Sequence, residues 1–227
     1  MALSRHALPV PAGLLPLTVA RGGGSGAALV VVPSAFGVAP DLEAQLEALA
    51  GEARLVATFD PFFREDPGVV PYEDMARVMQ RLRGLDRARA QADLRAVLAW
   101  ARAEAGGGPV VVLGVCFGGP FALLAAADGL VDGVATWHGT RLESFLGRAP
   151  EMRCPMRLHF GGVDPFVPPA AVEAVREAFA GREDVHLFVH PGATHGFTHP
   201  GAAKAYDARA ERAALASVCE LVRAVQG

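Results

Sequence analysis

The run Val110-Val111-Val112-Leu113-Gly114-Val115 ends on Cys116 and passes at once into Phe117-Gly118-Gly119-Pro120-Phe121, so a β-branched strand stops at a glycine-flanked cysteine where a helical pattern begins. A chain turns that sharply only where close neighbours lack Cβ atoms, and Gly114 and Gly118 stand two positions either side of the cysteine. The layout is that of a nucleophile elbow with cysteine in the place of serine. Such a corner sets the sulfur above a sheet edge, at the positive N-terminus of the following helix, a setting that activates thiols. The competing reading is a packed strand–helix junction around a buried, inert cysteine.

The rest of the chain supplies a sheet for that corner. Apolar runs at Leu15–Ala20, Ala28–Val32, Arg54–Phe59, Val131–Trp137, Met156–Phe160 and Val185–Val189 read as strands. Between them lie helical patterns: one opening at Pro40 and Asp41, one from Tyr72, one from Asp86 to Ala105, one from Phe117 to Ala127, a short one at Leu142–Leu146, one carrying Val172, Val175 and Phe179, and a last one carrying Leu215, Val218, Cys219 and Val222. The glycine-rich turn Arg21–Gly26 predicts a hairpin of the first two strands at one sheet edge; without a lysine in phosphate-loop register it is read as a loop. The proline-rich, aromatic loop Asp60–Pro71 is a candidate wall of a pocket. Alternating strands and helices predict an α/β fold with a mostly parallel central sheet and helices on both faces, formed as one domain over residues 1–227.

Composition bounds the partners. With net charge −3, scattered arginines and Lys204 as the only lysine, the chain has no basic face for nucleic acid. No apolar run approaches the roughly 18 residues of a membrane helix, and Pro9, Pro11 and Pro16 break any signal-like N-terminal stretch, so a cytoplasmic protein without membrane contact is expected, as a monomer or weak homo-oligomer. Three cysteines without CxxC spacing indicate neither disulfides nor zinc, and no other pattern calls for a metal or cofactor. Cys154 and Cys219 are read as structural.

Cys116, Asp164 and His195 each follow a predicted strand, which puts all three at the C-terminal edge of the sheet in the chain order nucleophile, acid, histidine. The chemistry needs each type: a thiolate to attack an ester or lactone carbonyl, an imidazole to hold and return a proton, a carboxylate to orient the imidazole. The expected oxyanion donors are the backbone N–H groups of Phe117 and Ala35, the latter in the loop after an early strand. A ligand-binding protein without turnover, or a thiol redox sensor, is the alternative on the same fold.

These residues resemble the dienelactone hydrolase family, a cysteine-nucleophile branch of the α/β-hydrolases. Gly114-Val115-Cys116-Phe117-Gly118-Gly119 is similar to its GxCxGG elbow, Gly161-Gly162-Val163-Asp164-Pro165 to its acid loop and Gly192-Ala193-Thr194-His195-Gly196-Phe197 to its histidine loop. The resemblance implies cofactor-free hydrolysis of an enol lactone or similar ester. Two departures accompany it. Ser34 stands where the family places a glutamate that restrains the resting thiol, and His199 stands where it places a second arginine for the substrate carboxylate, Arg64 matching the first. The resemblance therefore implies a thiol free to pair with His195 at rest and a weaker anion site. Ser34, Phe36, Arg64, Trp137 and His199 are the substrate-contacting candidates.

Overall fold

The computed structural model describes residues 2–11, 13–24 and 26–226; Met1, Ala12, Gly227 and Ser25 of the glycine-rich turn lie outside the described residues. Eight strands, β1 (Leu3–Val10), β2 (Gly13–Arg21), β3 (Ala28–Val32), β4 (Leu55–Phe59), β5 (Val110–Val115), β6 (Gly133–Trp137), β7 (Met156–Gly161) and β8 (Val185–His190), form one sheet in the order β1-β2-β4-β3-β5-β6-β7-β8. From β4 to β8 every neighbouring pair is parallel, while β1–β2 and β2–β4 are antiparallel.

Six helices, α1 (Pro40–Leu49), α2 (Met75–Gly84), α3 (Arg87–Glu104), α4 (Gly118–Ala127), α5 (Pro169–Ala178) and α6 (Ala208–Ala224), flank the sheet, with a 3-10 segment at Leu142–Glu151. Period-two alternation sorts the strand side chains. Val30, Val32, Val110 and Val112 pack with α3, α4 and α5 on one face, whereas Leu29, Val31, Val111 and Leu113 pack with α1 and α6 on the other. Each fully buried valine or leucine stabilises this arrangement by about 1.5–3 kcal/mol. Side-chain caps mark the starts of α3 and α6: the Arg89 N–H donates to Asp86, and the Arg209 and Ala210 N–H groups donate to Asp207.

The structure redraws the edge hairpin. The second strand, β2, pairs with β1 and β4, while β3 lies inside the sheet between β4 and β5. The prolines that hid β1 are accommodated by position. Pro9 sits on the edge strand, and Pro16 precedes the Leu17–Arg21 stretch that pairs with β4, so no ladder bond is lost there. The helix expected from Tyr72 begins at Met75, where Asp74 caps it, and Tyr72 stays in the preceding loop. The short helix at Leu142 is a 3-10 segment running to Glu151. The buried face of α6 runs through Ala210, Ala214, Val218, Leu221 and Val222, leaving Leu215 and Cys219 half-buried at its margin.

Candidate active site

Cys116 follows β5 with φ +56°, a left-handed backbone that a side-chain-bearing residue rarely adopts. Three hydrogen bonds hold it there: its N–H donates to the Trp137 carbonyl at 3.0 Å, and its carbonyl accepts from the Gly119 and Thr140 N–H groups, each at 3.1 Å. The glycines are sterically required. A Cβ at Gly114 would lie 2.4 Å from the Gly118 carbonyl oxygen, and one at Gly118 would lie 2.6 Å from the Val32 carbonyl oxygen.

Asp164 follows β7 and His195 follows β8, and their loops lean on one another. The Val163 N–H donates to the Ala193 carbonyl at 3.0 Å, and a Cβ at Gly161 would lie 2.7 Å from that same oxygen. Asp164 is 6% exposed. Its Oδ1 accepts from the Phe166 N–H at 2.8 Å, which leaves Oδ2 for His195 Nδ1 at 2.7 Å. His195 Nε2 in turn lies 3.1 Å from Cys116 Sγ. Burial opposes a charge on His195, but the neighbouring Cys116 and the hydrogen bond to Asp164 outweigh it and push the imidazole up to about 10. The ring stands edge-on between His138, 4.8 Å away, and Phe166, 5.0 Å away. His138 is held well below its ordinary value by complete burial and by His195 and His199, so the wall beside His195 is uncharged.

Cys116 and His195 open onto a cavity of about 620 Å³. Ala35, Phe36, Phe117 and His199 line it. Neither the Ala35 nor the Phe117 N–H donates to a loop or cap acceptor among the described residues. His199 is 5% exposed and pushed down to about 4, by burial first, with His195 adding and Asp41 opposing. Its Nδ1 lies 3.8 Å from Asp41 Oδ2, an oxygen that also accepts the Tyr72 hydroxyl, and the Tyr72 ring packs 5.3 Å from the imidazole.

Three sequence candidates stand elsewhere. Arg64 does not line the cavity: its guanidinium makes paired hydrogen bonds of 2.6 and 2.9 Å to Asp93, whose side chain is 3% exposed, and lies over the Phe63 ring. Held on Asp93 in this way, the guanidinium points away from the cavity lining. Trp137 is fully buried in the α1–α6 core because β6 directs it away from the cavity. Ser34 is buried beside the lining, and its carbonyl accepts from the Gly37 N–H at 3.0 Å. The Asp60–Pro71 loop also contributes no lining residue; its Phe62 is fully buried. The wall is built instead by one face of α2, with Met75, Val78, Met79 and Leu82.

Arg81, at the edge of that α2 face next to Val78, is the tie to the Ala35 loop least visible in the sequence. Its guanidinium donates to the carbonyls of Ala35 at 3.0 Å, Gly68 at 2.7 Å and Asp66, and lies 4.3 Å over the Phe62 ring. Only its place on the helix face that also buries Val78 hinted at an inward role. Among the described residues, Cys116, His138 and His195 form the one group whose donor atoms could approach a metal, lying within 4.8 Å of one another, although His195 Nε2 and the sulfur already satisfy each other. Cys154 packs on the α3–α5 side of the sheet and Cys219 on the α1–α6 side, and burial pushes both thiols up, Cys154 to about 11. Among the described residues no helix is long and apolar enough to cross a membrane.

The chain is similar to known proteins along most of its length. The sequence model of the dienelactone hydrolase family matches residues 18–226. A carboxymethylenebutenolidase of Pseudomonas putida is 29% identical over 171 residues, 72% of each chain. Another, from Pseudomonas sp. strain P51, is 31% identical over 169 residues, covering 72% of this chain and 71% of that one. The crystal structure of a dienelactone hydrolase-like promiscuous phosphotriesterase from metagenomic libraries superposes with a TM-score of 0.79 at 24% identity, over 100% of this chain and 99% of that one. At that identity the likeness speaks for the α/β-hydrolase fold.

Proposed function

The chain belongs to the dienelactone hydrolase family, and from that premise we propose that it hydrolyses a small-molecule ester or lactone with Cys116 as nucleophile, His195 as proton carrier and Asp164 as the group that orients it. The observation that carries the reading is the continuous contact from Cys116 Sγ to His195 Nε2 at 3.1 Å and from His195 Nδ1 to Asp164 at 2.7 Å, open to the cavity.

The steps follow from these atoms. Cys116 Sγ, its proton held on His195 Nε2, adds to the carbonyl carbon, and the electron pair moves onto the carbonyl oxygen. The Phe117 and Ala35 N–H groups donate to that oxyanion. As the C–O bond to the alcohol breaks, His195 gives its proton to the leaving alkoxide and a thioester remains on Cys116. Now neutral, His195 takes a proton from water, hydroxide adds to the thioester carbonyl, and collapse expels the thiolate with the acid as product. Asp164 stabilises the imidazolium at each passage. With Ser34 in the loop beside the elbow, no carboxylate from that loop competes with His195 for the sulfur, so the pair is formed in the resting protein.

A panel of neutral esters, enol esters and lactones, including dienelactone, with wild type and Cys116→Ala tests the reading. Turnover lost in Cys116→Ala, with a thioester trapped by mass spectrometry, is expected. Undiminished hydrolysis by Cys116→Ala removes Cys116 as the nucleophile, and no turnover of any member overturns the reading in favour of a binding protein.

A further inference from the structure

The cavity has a charge asymmetry that the hydrolytic reading does not use. Three arginines, Arg83, Arg87 and Arg141, line it, and no aspartate or glutamate does, although the whole chain carries net charge −3. Most arginines elsewhere are paired with carboxylates, as in Arg64–Asp93, Arg95–Asp128 and Arg182–Asp184. Arg83, Arg87 and Arg141, all exposed, have no hydrogen-bond or ion-pair partner among the described residues, and partial desolvation first, with the Arg141 charge adding, lowers Arg87 from its ordinary value.

The three sit together at one end. Along α2 the lining residues are Met75, Val78, Met79, Leu82 and Arg83, which share one helix face. At about 1.5 Å per residue, Arg83 stands roughly 12 Å beyond Met75. Arg87 follows at the start of α3. The Met75 end adjoins Tyr72, which packs on His199 and so marks the histidine end of the trough. Arg141 is placed by the elbow itself: the neighbouring Thr140 N–H donates to the Cys116 carbonyl at 3.1 Å, and Arg141 then takes a left-handed backbone with φ +59°. The trough is therefore apolar along α2, catalytic at its floor and cationic at one end.

We propose that Arg87 and Arg141, with Arg83 beside them, bind a terminal anionic group, carboxylate or phosphate monoester, on an ester whose elongated apolar body lies along Met79 and Leu82. The proposal rests on the reading of Cys116 and His195 as the hydrolytic centre and adds the class of substrate. An anion there supplies the charge that the guanidiniums lack, in the planar, multi-donor geometry that arginine offers both groups.

The test compares three p-nitrophenyl esters of one medium-chain acid, ending in a carboxylate, a phosphate monoester or a neutral carboxamide. Wild type is expected to favour at least one anionic ester over the carboxamide by about tenfold in kcat/KM, chiefly through KM. That ratio should fall toward one in Arg87→Gln/Arg141→Gln and in 1 M salt, where screening reaches about 3 Å. The carboxylate and phosphate arms tell which anion is taken. A wild-type ratio of one or below, or a ratio unchanged in the double variant, overturns the proposal. Failure to cleave all three esters would instead count against the hydrolytic reading. Calorimetric titration with octanedioate then reads the anion site alone: binding weakened by the double substitution supports it, and equal binding to both proteins or none to either refutes it.

Discussion

Arg81 offers the sharpest test of how the site is held. Its side chain is fully buried and its guanidinium bridges Ala35, Gly68 and Asp66, so the loop that presents the Ala35 N–H is tied to α2 through one cation. Arg81→Met keeps the stem and removes the donors. A hydrogen bond to a charged group contributes about 1.5–3 kcal/mol, and removing one partner of a buried charge arrangement costs about 3–5 kcal/mol. Because Asp66 is partly exposed and keeps Arg77, a loss near the lower bound, about 3 kcal/mol, is expected. Complete loss of an oxyanion donor costs about 100- to 1,000-fold in kcat. Displacing the Ala35 loop rather than removing its N–H should cost about tenfold, or roughly 1.4 kcal/mol of barrier.

Urea denaturation gives the first quantity, and kcat and KM on a neutral p-nitrophenyl ester give the second. Leu158→Ala, in the fully buried α3–α5 core, is the control for stability loss without displacement of the loop; it should lower stability by about 2–5 kcal/mol and leave kcat alone. Arg81→Lys restores the charge but spans fewer carbonyls, so partial rescue is expected. A kcat for Arg81→Met within twofold of wild type, or equal kcat losses in Arg81→Met and Leu158→Ala, would refute the positioning role.

Three further outcomes follow from the geometry. His195 is raised above its unfolded value of about 6.5, so its proton stabilises the fold fully below that pH, and this contribution is lost as pH rises through about 10. NMR of the His195 ring should show protonation persisting into the alkaline range, and Cys116→Ala should lower the midpoint; titration near 6.5 in wild type would contradict the assigned pairing. Gly114→Ala places a methyl 2.4 Å from the Gly118 carbonyl oxygen, so it should destabilise by about 1–3 kcal/mol or more and abolish esterase activity; a soluble, fully active variant would show that the elbow tolerates a Cβ. Asp93→Ala strands Arg64 and should cost about 3–5 kcal/mol while leaving the preference for anionic over neutral esters intact. A collapse of that preference would return Arg64 to the binding site.

The loops at the strand ends were more legible in the sequence than the walls of the cavity. The elbow, acid and histidine loops each follow an apolar run that can be only a strand, and local sterics fix their glycines, so Cys116, Asp164 and His195 were readable in place. The walls depend on contacts between distant segments. Nothing in Asp60–Pro71 says that Arg64 will find Asp93 on a helix, and nothing in α2 says that Arg81 will reach back to Ala35. Trp137 lies at a strand end like the site residues, but pleat parity alone sends it to the opposite face. The strand β1 was hidden because prolines count against a strand until its edge position is known.

The helix that forms the trough's wall is lightly anchored: within α2 only Val78 and Arg81 are buried, while Met75 and Met79, which face the cavity, are 41% and 45% exposed. Substitutions at such half-open positions usually change stability by no more than about 0.5 kcal/mol. Variation at Met75, Met79 and Arg83 can therefore accumulate without disturbing the strand ends that hold the sulfur, the imidazole and the carboxylate. The fold separates what the enzyme does to a bond from which bond it accepts, so a lineage of this chain can drift to new substrates through a few replacements on one helix, keeping its folding and its chemistry while its diet changes.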